Sequence, residues 1–140
     1  MITAVDTSVL IDVFVADPTF GARSKEVLRM CLAQGYVLAC DVVWAEVVGV
    51  FPSDEVATQA MHRLEVGFAA LDAKAALAAG TAWRGYRARG GRRERVIADF
   101  LIGAHAQAHA DRLLTRDRGF YRTHFENLTV IDPSERPSKR

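Results

Sequence analysis

The sequence predicts an α/β fold with a mostly parallel central sheet flanked by helices. Short apolar segments of strand length alternate along the chain with longer segments of helical periodicity. This alternation is typical of parallel strands joined by helical crossovers. The chain has 140 residues, half of them hydrophobic, which suffices for one domain with a continuous core.

The first elements follow from apolar runs and the residues that end them. A strand over 2–6 leads into a short helix to residue 14, which Thr7 or Ser8 is placed to cap. A helix over 20–34 carries an apolar stripe and stops at a glycine. A second strand is expected at 36–40, and an aspartate after it caps a short helix that a proline ends.

The remaining elements are predicted in the same way. A helix from a Ser-Asp pair ends near residue 67, and residues 67–71 form a third strand. An alanine-rich helix opens at Asp72 and runs to about Arg89, where a glycine pair forms a loop. The chain is completed by a helix over 98–110, strands over 113–115 and 128–131, and a frayed polar tail over 133–140.

Targeting and cysteine signals favour a cytoplasmic protein without a membrane partner. No apolar run reaches membrane-spanning length, and the N-terminus lacks the basic and then apolar order of a signal peptide. Cys31 and Cys40 are too few for a disulfide framework, so we expect two buried, reduced thiols.

Four acidic residues occur within or directly after apolar segments: Asp6, Glu46, Asp99 and Asp117. A carboxylate buried alone is costly, and two carboxylates ~6 Å apart repel one another by about 3 kcal/mol at an effective dielectric constant near 20. A bound cation relieves both problems. The pattern therefore predicts a divalent-metal site, with Glu46 expected to be at least partly buried in an apolar helix.

Each acid also has a simpler interpretation. Asp6 could cap the first helix, Asp117 could stabilise a turn, and arginine partners are available for all four. Carboxylates without His or Cys select Mg²⁺ or Mn²⁺, ions suited to phosphodiester hydrolysis by a metal-activated water. Thr7, Ser8 and Thr115 lie beside the acids and could support the site by hydrogen bonds.

Arginines are concentrated in the second half of the chain. Residues 84–122 contain ten arginines and no lysine, whereas residues 1–80 carry five basic and ten acidic residues. Planar guanidinium groups suit phosphate recognition, so this arginine cluster predicts RNA binding, with a solvated surface segment as the alternative. The RNA-binding candidates are Arg84, Arg87, Arg89, Arg92, Arg93, Arg95 and Arg116.

The sequence evidence for a zinc site or a nucleotide-binding site is weaker. His105 and His109 lie four residues apart on one helical face, but no glutamate of a zinc-protease motif accompanies them, so surface histidines are the preferred interpretation. The chain has no glycine-rich phosphate loop and no dinucleotide-binding fingerprint.

Four segments resemble the motifs of PIN domains, in order and spacing. They are residues 5–12 (VDTSVLID), 44–47 (WAEV), 93–106 (RERVIADFLIGAHA) and 113–121 (LLTRDRGFY). Together with residues 128–133, they make nearly the whole chain similar to VapC-type toxins of bacterial toxin–antitoxin pairs.

The resemblance implies a PIN-like three-layer domain over 1–132 that acts as an Mg²⁺- or Mn²⁺-dependent endoribonuclease. It implies an acidic quartet of Asp6, Glu46, Asp99 and Asp117 supported by Ser8 and Thr115, a homodimer, and a small antitoxin that covers the active-site groove. Two alternatives remain open: a PIN-type RNA-processing nuclease without an antitoxin, and a non-catalytic RNA- or protein-binding module.

Overall fold

A computed structural model describes residues 1–92 and 97–135 and confirms the predicted α/β class. Within these residues, five strands form one all-parallel sheet, with seven helices in the connections. The elements are, in order, β1 (Ile2–Val5), α1 (Thr7–Phe14), α2 (Gly21–Gln34), β2 (Tyr36–Ala39), α3 (Asp41–Val48), α4 (Asp54–Arg63), β3 (Val66–Phe68), α5 (Ala73–Ala88), α6 (Ile97–His109), β4 (Arg112–Leu114), α7 (Arg118–His124) and β5 (Val130–Ile131).

The strand order β3-β2-β1-β4-β5 places the first strand at the centre of the sheet. Strand β1 pairs with β2 through Thr3 and Val37, and with β4 through Val5 and Leu114. Three of its four residues are buried, as expected for a strand covered on both faces. The carboxyl ends of β1 and β4 therefore lie side by side, where ligands of open parallel sheets usually bind.

The core is continuous and includes an aromatic cluster between α6 and α7. Phe100 lies 5.1 Å from Phe120 and 6.3 Å from Phe125, measured between ring centroids. This cluster stabilises α7, a helix that the sequence analysis did not predict. Among the described residues, no helix is long and apolar enough to cross a membrane.

Several element boundaries differ from the predictions. The side chain of Asp6, rather than Thr7 or Ser8, caps α1. Helix α3 stops at Val48, before the proline, and α4 already ends at Arg63. The last strand is shorter than predicted and covers only Val130–Ile131.

The first residues of the predicted tail are tied to the domain. Both Ser134 N–H and Ser134 Oγ donate to Asp132 Oδ1, at 2.8 and 2.6 Å. Glu135 Oε1 forms ion pairs with Arg118 Nη1 and Arg122 Nη1, at 3.2 and 3.0 Å. Residues 136–140 lie outside the described residues, and the boundary at residue 132 stays a prediction.

Substituting Gly103 by alanine is expected to destabilise the fold, because a Cβ at this buried position of α6 would overlap the Phe125 ring. We expect Gly103→Ala to lower the free energy of unfolding by about 1–3 kcal/mol, as in other overpacked cores. Gly80→Ala is the matched control: nothing lies within 4 Å of a Cβ there, and alanine in a helix favours folding by about 0.5–1 kcal/mol. Urea denaturation measures both, and equal stabilities for the two variants would contradict the close Gly103–Phe125 contact.

Candidate active site

The candidate site begins where β1 and β4 end. The backbone N–H of Asp6 continues the β1–β4 ladder by donating to the carbonyl of Leu114 at 2.9 Å. Thr115 Oγ1 donates to Asp6 Oδ2 at 2.7 Å and accepts from the backbone N–H of Asp117 at 3.0 Å. One buried threonine thus links the two aspartates that follow neighbouring strands.

Asp6 is the most buried member of the predicted quartet, with 8% of its surface exposed. The Thr7 N–H donates to its Oδ1 at 2.8 Å, so Asp6 is a helix cap as well as a site residue. Burial raises the pKa of Asp6 to about 6; hydrogen bonds from Thr115 and Thr7 oppose this shift, and the charges of Asp99 and Glu46 add to it. Its ionised form is therefore held at a cost in the metal-free protein.

Glu46 is exposed, and the expectation that it is partly buried is wrong. Only Val43 and Val47 of α3 are buried, and Val50 just beyond the helix is 53% exposed, so α3 is not enclosed on all sides. The Thr7 hydroxyl donates to Glu46 Oε1 at 3.0 Å and thereby connects α1 to α3.

All four predicted acids line a single open cavity of about 340 Å³. They come from separate parts of the fold: the segments after β1 and β4, the last turn of α3 and the first turn of α6. The lining residues are Asp6, Thr7, Ser8, Ile11, Asp12, Glu46, Asp99, Ile102, Arg116 and Asp117. Of the supporting candidates, Ser8 and Thr7 line the cavity directly, while Thr115 acts beneath it through Asp6 and Asp117.

The donor groups of the cavity fit a hard cation. They are carboxylate and hydroxyl oxygens, and Ser8 Oγ is buried without a hydrogen-bond partner among the described residues. Within residues 1–92 and 97–135, however, no three His, Cys, Asp or Glu side chains already form a ligand set for a metal ion. A cation would have to draw the carboxylates closer together.

Sequence reasoning missed Asp12, a second buried aspartate in the cavity wall. Asp12 is 4% exposed and receives two hydrogen bonds from the guanidinium of Arg116. The signal in the sequence is weak, because Asp12 lies in α1 and its partner comes 104 residues later.

The predicted RNA-binding arginines divide into separate groups. Arg84, Arg87, Arg89 and Arg92 are exposed on or just after α5, whereas Arg116 lies in the wall of the acidic cavity. The Arg87 guanidinium lies 5.0 Å from the centroid of the Trp83 ring. Arg93 and Arg95 lie outside the described residues.

The two histidines of α6 are not both at the surface. His109 Nε2 lies 2.9 Å from Asp72 Oδ2 at the start of α5, as expected for an exposed histidine. His105 is 1% exposed, so its predicted surface position is wrong. Five consecutive residues of α6, Ile102 to Ala106, are buried, so this part of the helix is enclosed on all sides.

Comparisons with known proteins agree with this geometry. A family model of the PIN domain matches residues 3–126. No curated protein has a significantly similar sequence.

Solved structures with the same fold include toxin–antitoxin proteins. VapBC-1 from nontypeable Haemophilus influenzae superposes with a TM-score of 0.73 at 17% identity, covering 96% of this chain and 100% of that one. VapBC2 from Rickettsia felis, bound to a DNA fragment from its promoter, gives a TM-score of 0.70 at 20% identity, covering 94% and 98%. VapC20 of Mycobacterium tuberculosis, a sarcin-ricin loop cleaving toxin, gives a TM-score of 0.59 at 19% identity, covering 91% of this chain and 98% of that one.

The raised pKa of Asp6 predicts how the stability of the metal-free protein depends on pH. The pKa is about 6 in the folded protein against an ordinary value of 3.8, so between these values the folded state keeps a proton that the unfolded chain has released. The free energy of unfolding should therefore fall as pH rises through this window, by up to about 3 kcal/mol from Asp6.

The measurement is thermal melting in chelator from pH 4 to pH 7, which compares the melting temperatures of the parent and Asp6→Asn at each pH. The asparagine cannot ionise, so its advantage over the parent should grow with pH. Asp54→Asn, which removes an exposed charge on α4, should follow the parent. Parallel curves for the parent and Asp6→Asn would contradict the pKa shift.

Proposed function

The chain belongs to the PIN-domain family, and on that basis we propose that it is a VapC-type toxin, an endoribonuclease that cleaves cellular RNA with Mg²⁺ or Mn²⁺. The observation that supports this proposal best is the convergence of Asp6, Glu46, Asp99 and Asp117 on one cavity at the carboxyl edge of the sheet. These residues come from four separate elements, so local capping or turn formation does not account for their meeting.

Each acid has a role consistent with its position. Asp6, Asp99 and Asp117 would hold the cation, and Thr115 would keep Asp6 and Asp117 in register through its hydrogen bonds. A divalent cation, when bound, supplies charge stabilisation to the phosphate oxygens during hydrolysis. Glu46, at the exposed side of the cavity, would accept the proton of the attacking water, and the Thr7 hydroxyl would orient its carboxylate.

An antitoxin partner is part of the proposal. The compared structures from Haemophilus influenzae and Rickettsia felis are VapBC proteins, and their folds match this chain over nearly its whole length. By analogy, a small antitoxin would cover the cavity and block access of RNA. A homodimer and a cytoplasmic location are further proposals that rest on the resemblance to the VapC family.

The acidic quartet can be tested by alanine substitution. We expect Asp6→Ala, Glu46→Ala, Asp99→Ala and Asp117→Ala each to lower the rate of RNA cleavage by at least ~100-fold, because each removes a group needed for charge or proton transfer. The measurement is cleavage of total cellular RNA by purified protein in Mn²⁺, with loss of cleavage in excess chelator. Asp54→Ala, on the exposed side of α4, should cleave like the parent.

The same experiment separates the proposed nuclease from a non-catalytic binding module. A binding module would retain RNA in Mn²⁺ without cutting it. Full activity in Asp99→Ala would contradict the assignment of the four acids to the catalytic site, even if the parent cleaves RNA.

The exposed arginines on and after α5 are expected to contribute RNA affinity rather than chemistry. Replacing Arg84, Arg87 or Arg92 by glutamine should reduce the salt dependence of RNA binding, by ~0.7 in the slope of log K against log salt for each lost phosphate contact with a single strand. Fluorescence anisotropy with a labelled single-stranded RNA in chelator measures the slope. Arg29→Gln, which removes one charge at an exposed position of α2, is the control. Identical slopes in all variants would show that these arginines form only a solvated surface.

A further inference from the structure

Arg116 is held rigidly in the wall of the acidic cavity. Its Nε donates to Asp12 Oδ2 at 2.6 Å and its Nη2 donates to Asp12 Oδ1 at 3.1 Å, which is the two-pronged geometry of strong arginine–carboxylate pairs. Its guanidinium carbon also lies 4.1 Å from the centroid of the Phe20 ring. The carboxylate and the ring together fix both the plane and the position of the guanidinium.

Asp12 is itself held in place from a third element. The Ser24 hydroxyl of α2 donates to Asp12 Oδ2 at 3.2 Å, and Asp12 is 4% exposed. A buried carboxylate with this many donors is strongly oriented. Helices α1 and α2 therefore serve to orient an arginine that enters from the segment after β4.

One edge of this guanidinium remains available. Among the residues described by the structure, the Nη1 group donates no hydrogen bond, and the Arg116 side chain is 30% exposed. Arg116 lines the same cavity as Asp6, Glu46, Asp99 and Asp117. An anion entering this acidic cavity would meet an oriented pair of N–H donors there.

We propose that Arg116 contacts the scissile phosphodiester of the RNA through Nη1, and that Asp12 is the positioning residue that fixes it. This inference rests on the endoribonuclease function proposed above and deepens it. It separates Arg116 from the arginines of α5, because a fixed fork at the reacting phosphate affects the rate of cleavage, whereas exposed arginines affect affinity.

Arg116→Lys is the first test, because lysine keeps the charge but loses the planar fork. We expect the single-turnover cleavage rate at saturating protein in Mn²⁺ to fall by ~10- to 100-fold, as for a misplaced catalytic donor. The salt slope of RNA binding in chelator should stay unchanged, because the number of charges is the same. Cleavage at the parental rate would overturn the phosphate contact.

Asp12→Asn tests the positioning role with Asp132→Asn as its matched control. Asp132 is likewise a buried aspartate, 6% exposed, and its Oδ2 accepts from Arg118 Nη1 at 3.3 Å, but it does not line the acidic cavity. Both variants lose a charge and are expected to melt at lower temperature. At a temperature where both are fully folded, only Asp12→Asn should cleave more slowly, by ~10-fold.

The outcomes distinguish this inference from the proposed function. Equal cleavage rates in folded Asp12→Asn and Asp132→Asn would overturn the positioning role and make the pair purely structural. If the parent itself does not cleave RNA in Mn²⁺, the proposed function fails, and RNA binding by Arg116→Gln in chelator then decides the contact. A salt slope reduced by ~0.7 would support a phosphate contact at Arg116, and an unchanged slope would overturn it.

Discussion

The structure depends on keeping a carboxylate, Asp6, in a nearly dry position at the end of its central strand. The hydrogen bonds that meet this requirement also hold the fold together, because the Thr7 N–H starts α1 and the Thr115 hydroxyl comes from the segment after β4. Even so, burial and the nearby acids leave the pKa of Asp6 near 6. Ionised Asp6 therefore carries a cost of burial that a nearby cation would offset.

The charges around the cavity are arranged asymmetrically. Acids line it from α3, α6 and the ends of two strands. Among the described residues, the arginine in its lining is Arg116, which Asp12 holds in place. Asp12 pairs with Nε and Nη2 of Arg116 and leaves Nη1 without a hydrogen bond among the described residues. A cavity of this kind suits a ligand that carries both a negative charge and a bound cation, as a phosphodiester with a divalent metal does.

Sequence patterns predicted the elements that are signalled by neighbouring residues in the chain. Strands β1, β2 and β4 are apolar runs. Helix α5 has a clear N-cap signal in Asp72, whose side chain accepts from the Ala75 N–H. Helix α7 was missed because its stability comes from aromatic packing against α6, which no local pattern shows.

The same distinction applies to the candidate site. The aspartates after β1 and β4 could be placed on one edge because parallel strands share their carboxyl ends. The exposure of Glu46 could not be predicted, since the apolar residues of α3 do not all face the core. Pairing Asp12 with Arg116 required the tertiary structure, as 104 residues separate them.

The position of β1 between β2 and β4 also has a kinetic consequence. Thr115 and Asp6 are 109 residues apart, so the centre of the sheet closes only after most of the chain is available. Contacts of such long range form late and open together. A folded chain in which β4 and α7 have locally detached would lose Arg116 and Asp117 from the lining of the acidic cavity. The acidic cavity should therefore be complete only when the central strands of the sheet are paired.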